Sequence, residues 1–186
     1  MIDPRNYYCD AALIGFPGTG KSTLFNTLTG RTDSRKMPRF EKISEDLCGQ
    51  KEFILADIGG ISRGAVKNGL HPGAQWLAYT ESCQTLVYIL SFKNAKINLA
   101  RLASDFSFLV EAVSLYKNNF HKNKKHIAVI NLFDNIDVNT FRIFKNNFPQ
   151  EKIFIVNALQ GTGISSFIKK TVEAYVEVEN SVQREA

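Results

Sequence analysis

The chain has 186 residues, 44% hydrophobic and 22% charged, which is enough apolar material for one packed domain and excludes a disordered chain. A net charge of +5 permits a nucleic-acid partner without demanding one. The longest apolar stretch, Leu86–Leu90, is far too short to span a bilayer, so no membrane insertion is expected.

Five short, β-rich apolar runs read as buried strands: Ala11–Ile14, Phe53–Ala56, Thr85–Leu90, Ile127–Ile130 and Ile153–Val156. Helical spacing holds over Leu24–Leu28, Ala74–Thr80, Phe106–Tyr116, Phe141–Phe148 and Ile164–Val176. Residues 31–50 are polar and basic, and read as a mobile loop followed by an edge strand near Ile43–Gln50. Residues 58–73 carry five glycines and read as a second mobile loop. The alternation predicts an α/β domain over residues 9–178, a mostly parallel six-stranded sheet with helices on both faces. Residues 1–8 are expected to fray, and 179–186 to form a flexible tail. Cys9, Cys48 and Cys83 lie far apart with no metal-like spacing, which predicts reduced thiols and a cytoplasmic setting. Nothing in the composition reports the oligomeric state.

Gly15-Phe16-Pro17-Gly18-Thr19-Gly20-Lys21-Ser22 fits G-x-x-x-x-G-K-[ST], between a predicted strand and a predicted helix. Such a turn aims backbone N–H groups and a helix N-terminus at a polyphosphate, so Gly18, Thr19, Gly20, Lys21, Ser22 and Thr23 are expected to line one. Lys21 would reach the terminal phosphates and Ser22 would hold Mg²⁺. Asp57 closes the second apolar strand 35 residues after Ser22, with Gly60 three residues on. This predicts a carboxylate for the metal and an N–H for a γ-phosphate, and completes a catalytic set of Lys21, Ser22, Asp57 and Gly60. Asn131-Leu132-Phe133-Asp134 is close to N-K-x-D, in which the aspartate accepts the guanine N–H groups that adenine lacks. Leu132 stands for the lysine, keeping its apolar contact with the base. Asn157-Ala158-Leu159, followed by Gly161 and Gly163, resembles the S-A-x-x-G-x-G-[IL] element of GTPases with Asn157 in place of serine, and that resemblance implies a base contact from the Ala158 N–H to the guanine carbonyl.

With these residues on the page, the chain resembles the G domain of Obg-like GTPases, the Obg, DRG and YchF families. The run Asp57-Ile58-Gly59-Gly60-Ile61-Ser62-Arg63-Gly64-Ala65, with Gly69, Gly73 and Trp76-Leu77, carries most of the likeness. The resemblance implies a Ras-like P-loop NTPase fold, GTP or GDP as ligand, Mg²⁺ as cofactor, and a ribosome or rRNA partner. Departures from the pattern predict slow or impaired hydrolysis. Gly18 replaces an asparagine that helps hold a monovalent cation. Pro38-Arg39-Phe40-Glu41-Lys42 lacks the threonines of the first switch; Glu41 would repel a γ-phosphate if it sat where the switch threonine belongs, and Thr32 or Ser44 could substitute, although the register favours neither. Ile61 offers no polar group to an attacking water, and Gly59 is expected to loosen the second switch.

Basic residues at Arg31, Arg35, Lys36 and Arg39, and in His121-Lys122-Asn123-Lys124-Lys125-His126, could contact rRNA phosphates or be solvated loops. Two other readings follow from the same residues. One is a P-loop ATPase or kinase-like enzyme, since Pro-Gly-Thr-Gly-Lys also occurs there. The other is a non-catalytic scaffold that binds GDP.

Overall fold

The computed structural model describes residues 7–32, 37–44, 52–92, 99–118, 120–133 and 153–173. In chain order the elements are β1 (Ala11–Gly15), α1 (Lys21–Thr29), β2 (Arg39–Lys42), β3 (Ile54–Asp57), a 3-10 helix (Ala74–Thr80), β4 (Thr85–Phe92), α2 (Leu99–Tyr116), β5 (Lys125–Leu132), β6 (Ile153–Val156) and α3 (residues 164–173). They build one six-stranded sheet in the order β2-β3-β1-β4-β5-β6, parallel except where β2 runs antiparallel to β3. With β1 between β3 and β4, the loops that leave these strands gather at one sheet edge, where ligands bind in such folds.

Alternate strand residues feed two apolar layers. Ala12, Ile14, Tyr88 and Leu90 pack with Leu77 of the 3-10 helix and with Leu109 and Val113 of α2. Leu13, Val87 and Val129 pack with Leu24, Phe25 and Leu28 of α1 and Phe167 of α3. Among the described residues no helix is long and apolar enough to cross a membrane.

Several expectations are corrected. An edge strand lies at Arg39–Lys42, ahead of the expected Ile43–Gln50, of which 45–50 lie outside the described residues; Arg39 takes the inward place that an apolar residue usually marks. Helix α2 begins at Leu99, seven residues before its periodic run. Ala74–Thr80 is a 3-10 helix, and its buried residues Ala74, Leu77 and Thr80 recur every three positions, as that geometry requires. Two residues of the expected frayed N-terminus are anchored. Tyr7 stacks on Phe40 with centroids 4.5 Å apart, and the Tyr8 hydroxyl donates to Asp10 at 2.6 Å. Residues 1–6, the Phe141–Phe148 helix and 174–186, which include the 179–186 tail, lie outside the described residues.

The cysteines also differ from expectation. Ala11 pairs with Thr85 across β1 and β4, and that parallel register, carried back two residues, sets Cys9 beside Cys83. The two form a buried disulfide with Cα atoms 4.9 Å apart, although 74 residues separate them in sequence. Closing a loop of that length restricts the unfolded chain, and such a link contributes about 2–4 kcal/mol. Urea unfolding with and without dithiothreitol should therefore show a loss of that size on reduction. A Cys9→Ala/Cys83→Ala variant should show no further response to the reductant.

Candidate nucleotide site

The loop between β1 and α1 turns through Gly18 (φ 76°) and Gly20 (φ 86°), and α1 begins at Lys21 with no side-chain cap and no acid in its first turn. Its leading N–H groups are thus left for an anion. The Thr19 hydroxyl closes the turn by donating to the Phe16 carbonyl at 3.0 Å. Ser22 and Thr23 follow in the first turn of α1. Lys21 lies back across the loop and donates to the carbonyls of Gly15 (3.2 Å) and Phe16 (2.9 Å). Burial pushes its ammonium pKa down to about 8, with the Asp57 carboxylate opposing part of that shift.

Asn131, near the end of β5, joins the phosphate loop to the base loop. Its Nδ2 donates to the Thr19 carbonyl at 3.1 Å, and its Oδ1 accepts the Ala158 N–H at 3.1 Å. Gly20 makes this approach possible, because a Cβ there would come 2.2 Å from Asn131 Nδ2. The Asn157 side chain accepts the N–H groups of Leu159 and Gln160, and Thr27 of α1 donates to the Ala158 carbonyl at 2.8 Å. Hydrogen bonds therefore bring Thr19 of the phosphate loop, Asn131 and Ala158 together. Two details differ. The Ala158 N–H is already used by Asn131, so a base carbonyl would have to take it over. Leu132 packs half-buried into the α2 layer, while the Phe133 ring reaches Gly20. Leu159 is 72% exposed beside this loop. Asp134 lies outside the described residues.

Asp57 is fully buried at the end of β3. Its Oδ2 accepts from Arg39 Nη2 at 2.5 Å, and its Oδ1 has no partner. An orphaned buried carboxylate oxygen suits a hard cation, and with the Ser22 hydroxyl these residues fit Mg²⁺. Among the described residues no cluster of three or more His, Cys, Asp and Glu could hold a metal, but Mg²⁺ shared with phosphates needs only one or two protein ligands.

The 58–73 loop is held against the site rather than left mobile. Gly60 packs on Pro17, and the buried Ile61 donates its N–H to the Gly15 carbonyl at 3.1 Å. Arg63 pairs with Asp105 at 2.8 Å and lies over Phe108 at 4.7 Å. Gly59 does not loosen this loop. A Cβ there would come 2.0 Å from the Trp76 indole nitrogen, so the glycine admits the indole. Glu41 does not face the phosphate loop either: it pairs in register with Leu55 on the edge strand and bonds Arg31 at 3.2 Å. Ser44 sits past the far end of β2, where its N–H meets the Leu28 carbonyl.

The basic stretches are partly spent inside the fold. Arg39 is buried on Asp57. Lys124 donates to the carbonyls of Thr80, Glu81 and Cys83, and burial pushes its pKa down to about 8. His126 is bonded to the Tyr88 hydroxyl and the His121 carbonyl, both at 2.8 Å. Arg35 and Lys36 lie outside the described residues.

Comparison with known proteins agrees with this geometry. GTPase Obg of Protochlamydia amoebophila is 29% identical over 173 residues, spanning 88% of this chain and 50% of that protein. GTPase Obg of Brevibacillus brevis is 25% identical over 190 residues, spanning 93% of this chain and 44% of that protein. The chain thus spans about half the length of the curated relatives it matches. A GTP-binding protein from Sulfolobus solfataricus, solved with GDP, has a TM-score of 0.62 at 18% identity, covering 90% of this chain and 52% of that one. The FeoB G-domain from Methanococcus jannaschii has a TM-score of 0.58 at 20% identity, covering 92% and 99%. At these identities the solved structures establish the G-domain fold alone. The family model described as 50S ribosome-binding GTPase matches residues 10–132, which include the phosphate loop, Asp57, Gly60 and Asn131. The chain belongs to that GTPase family.

Proposed function

We propose that this domain binds GDP and GTP at the edge formed by Gly18–Thr23, Asn131–Asp134 and Asn157–Leu159, and that it hydrolyses GTP slowly or not at all. The observation that carries the reading is Asn131, which ties the phosphate loop to the loop expected to read the base. Ser22 and Asp57 would hold Mg²⁺, which when bound would neutralise charge on the phosphates. Lys21 would leave the loop carbonyls for the phosphates, and the first turn of α1 would meet them with its N–H groups.

Slow hydrolysis is supported by Ile61. The residue after Gly60 is apolar and buried, with its N–H on Gly15, so it offers nothing to position a water. Glu41 gives no added repulsion, since it lies on the edge strand. Association with the large ribosomal subunit is proposed from the family description alone, because Arg39, Lys124 and His126 serve the fold instead. A cytoplasmic setting belongs with this proposal and rests on the likeness to the Obg GTPases alone.

Calorimetric titration with GDP, GTP, ADP and ATP tests the reading: guanine nucleotides should bind and adenine nucleotides should not. Asp134→Asn should weaken guanine and favour xanthine, since it replaces an acceptor by a mixed donor and acceptor. ATP preferred by the wild type would overturn the assignment.

Lys21 sets a pH dependence. Its unliganded pKa is about 8, and arriving phosphates raise it. Below that value the lysine is charged both free and bound, and affinity is flat. Above it, binding must take up a proton, so affinity should fall by up to about tenfold per pH unit. Calorimetry at pH 8.5–9 in buffers of different ionisation enthalpy should register the uptake. Lys21→Ala should abolish it and weaken GDP about 10–100-fold, the scale of a lost bond to a charged group.

A further inference from the structure

We propose that Arg39 is a resident cation at the metal carboxylate: it neutralises Asp57 from within the chain, makes diphosphate binding nearly independent of Mg²⁺, and obliges any metal to compete with the edge strand. The proposal rests on the phosphate-site reading above.

The geometry begins with register. Arg39 and Asp57 are partners across the antiparallel β2–β3 pair. The Arg39 side chain is 6% exposed and that of Asp57 is 0%, and Nη2 meets Oδ2 at 2.5 Å. Nη1 donates to the Asn26 side chain at 2.9 Å, and the guanidinium carbon stands 4.5 Å from the centre of the Phe25 ring. Phe25 and Asn26 follow Ser22 by three and four residues, so they lie one turn along the same face of α1. The guanidinium therefore fills the cleft between α1 and β3 just below the two residues that would hold Mg²⁺.

Charge then decides the consequence. The Asp57 carboxylate is already paired with the Arg39 guanidinium, with both side chains buried. A dication arriving at Oδ1 meets a carboxylate whose charge is spent and a guanidinium on its other oxygen. It must either bind weakly or displace Arg39, and displacement pulls at β2 through a buried, hydrogen-bonded side chain. In this chain the link between the first switch and the metal carboxylate is a cation rather than a hydroxyl. A purely structural ion pair would steady β2 equally well and leave metal dependence alone, and this difference makes the proposal testable.

The experiment is GDP affinity by calorimetry in millimolar Mg²⁺ and in EDTA. The wild-type ratio should stay within about threefold, and Arg39→Gln should raise it to about tenfold or more, a factor of ten being about 1.4 kcal/mol. General destabilisation would move both affinities and leave their ratio alone. Mn²⁺ titration of the GDP-bound wild type by electron paramagnetic resonance provides a second measurement that needs no variant. Sites that fill only at millimolar Mn²⁺ support the proposal, and micromolar filling overturns it. A wild-type ratio above about tenfold, or an Arg39→Gln ratio equal to the wild type's, also overturns it while the phosphate site stands. GDP failing to bind under either condition would instead sink the phosphate-site reading, and this proposal with it.

Discussion

A carboxylate buried without exposure at the end of a strand has to be neutralised, because an uncompensated charge there costs several kcal/mol, about as much as a whole domain has to spare. Asp57 is in that position, and much of the nucleotide edge follows from how its charge is met. Arg39 meets it directly from β2, while the Lys21 ammonium at the start of α1 acts on it through the field alone, its hydrogen bonds going to the Gly15 and Phe16 carbonyls. The first partner fixes the edge strand. A slip of one residue would turn Arg39 to the other face and leave Asp57 without it, so the β2–β3 register is set by charge where most strands are registered by apolar side chains. The Gly15 and Phe16 carbonyls hold Lys21 inside the fold, where burial lowers its pKa to about 8, so that only above that pH does an arriving phosphate bring it a proton.

The same economy governs the base side. Asn131 has one donor and one acceptor group, and both are used, on Thr19 and Ala158. These two bonds hold together a loop after β1 and a loop after β6, which sit at different positions along the sheet. The amide fits only because Gly20 has no side chain. An asparagine on β5 and a glycine more than a hundred residues earlier thus form one joint. Removing either would separate the phosphate loop from the base loop, with two buried polar groups left unpaired.

Much of this was legible in the sequence. The five parallel strands read as apolar runs, and the phosphate loop, Asp57, Asn131 and Ala158 sat where strand ends were expected. What escaped was whatever apolar periodicity does not encode. β2 escapes the apolar pattern because its inward residue is an arginine with a buried partner. The cysteine pair was missed because 74 residues of sequence separate two strands that lie side by side. Gly59 was read as freedom and is instead contact, since a glycine's role depends on what fills the space beside it, here an indole. Leu132 was given the base and packs with α2, while its neighbour Phe133 reaches Gly20. One residue of difference along a strand end exchanges the two faces of the sheet.

The contacts of the 58–73 loop bear on how any nucleotide signal could travel. A γ-phosphate read by the Gly60 N–H would arrive where Gly60 packs on Pro17, one residue from the Ile61–Gly15 bond. Displacement there has two packed exits. One runs through Gly59 to Trp76, whose ring stands 6.0 Å from Tyr79, and Tyr79 meets Tyr7 on the back of Phe40 in β2. The other runs through Arg63, which lies over both Phe16 of the phosphate loop and Phe108 of α2. Both routes are made of aromatic rings and a guanidinium in close contact, and such packing shifts between discrete arrangements more readily than it deforms. The first route ends on the strand that carries Arg39. The 58–73 loop and Asp57 are therefore linked by packed contacts that pass through β2.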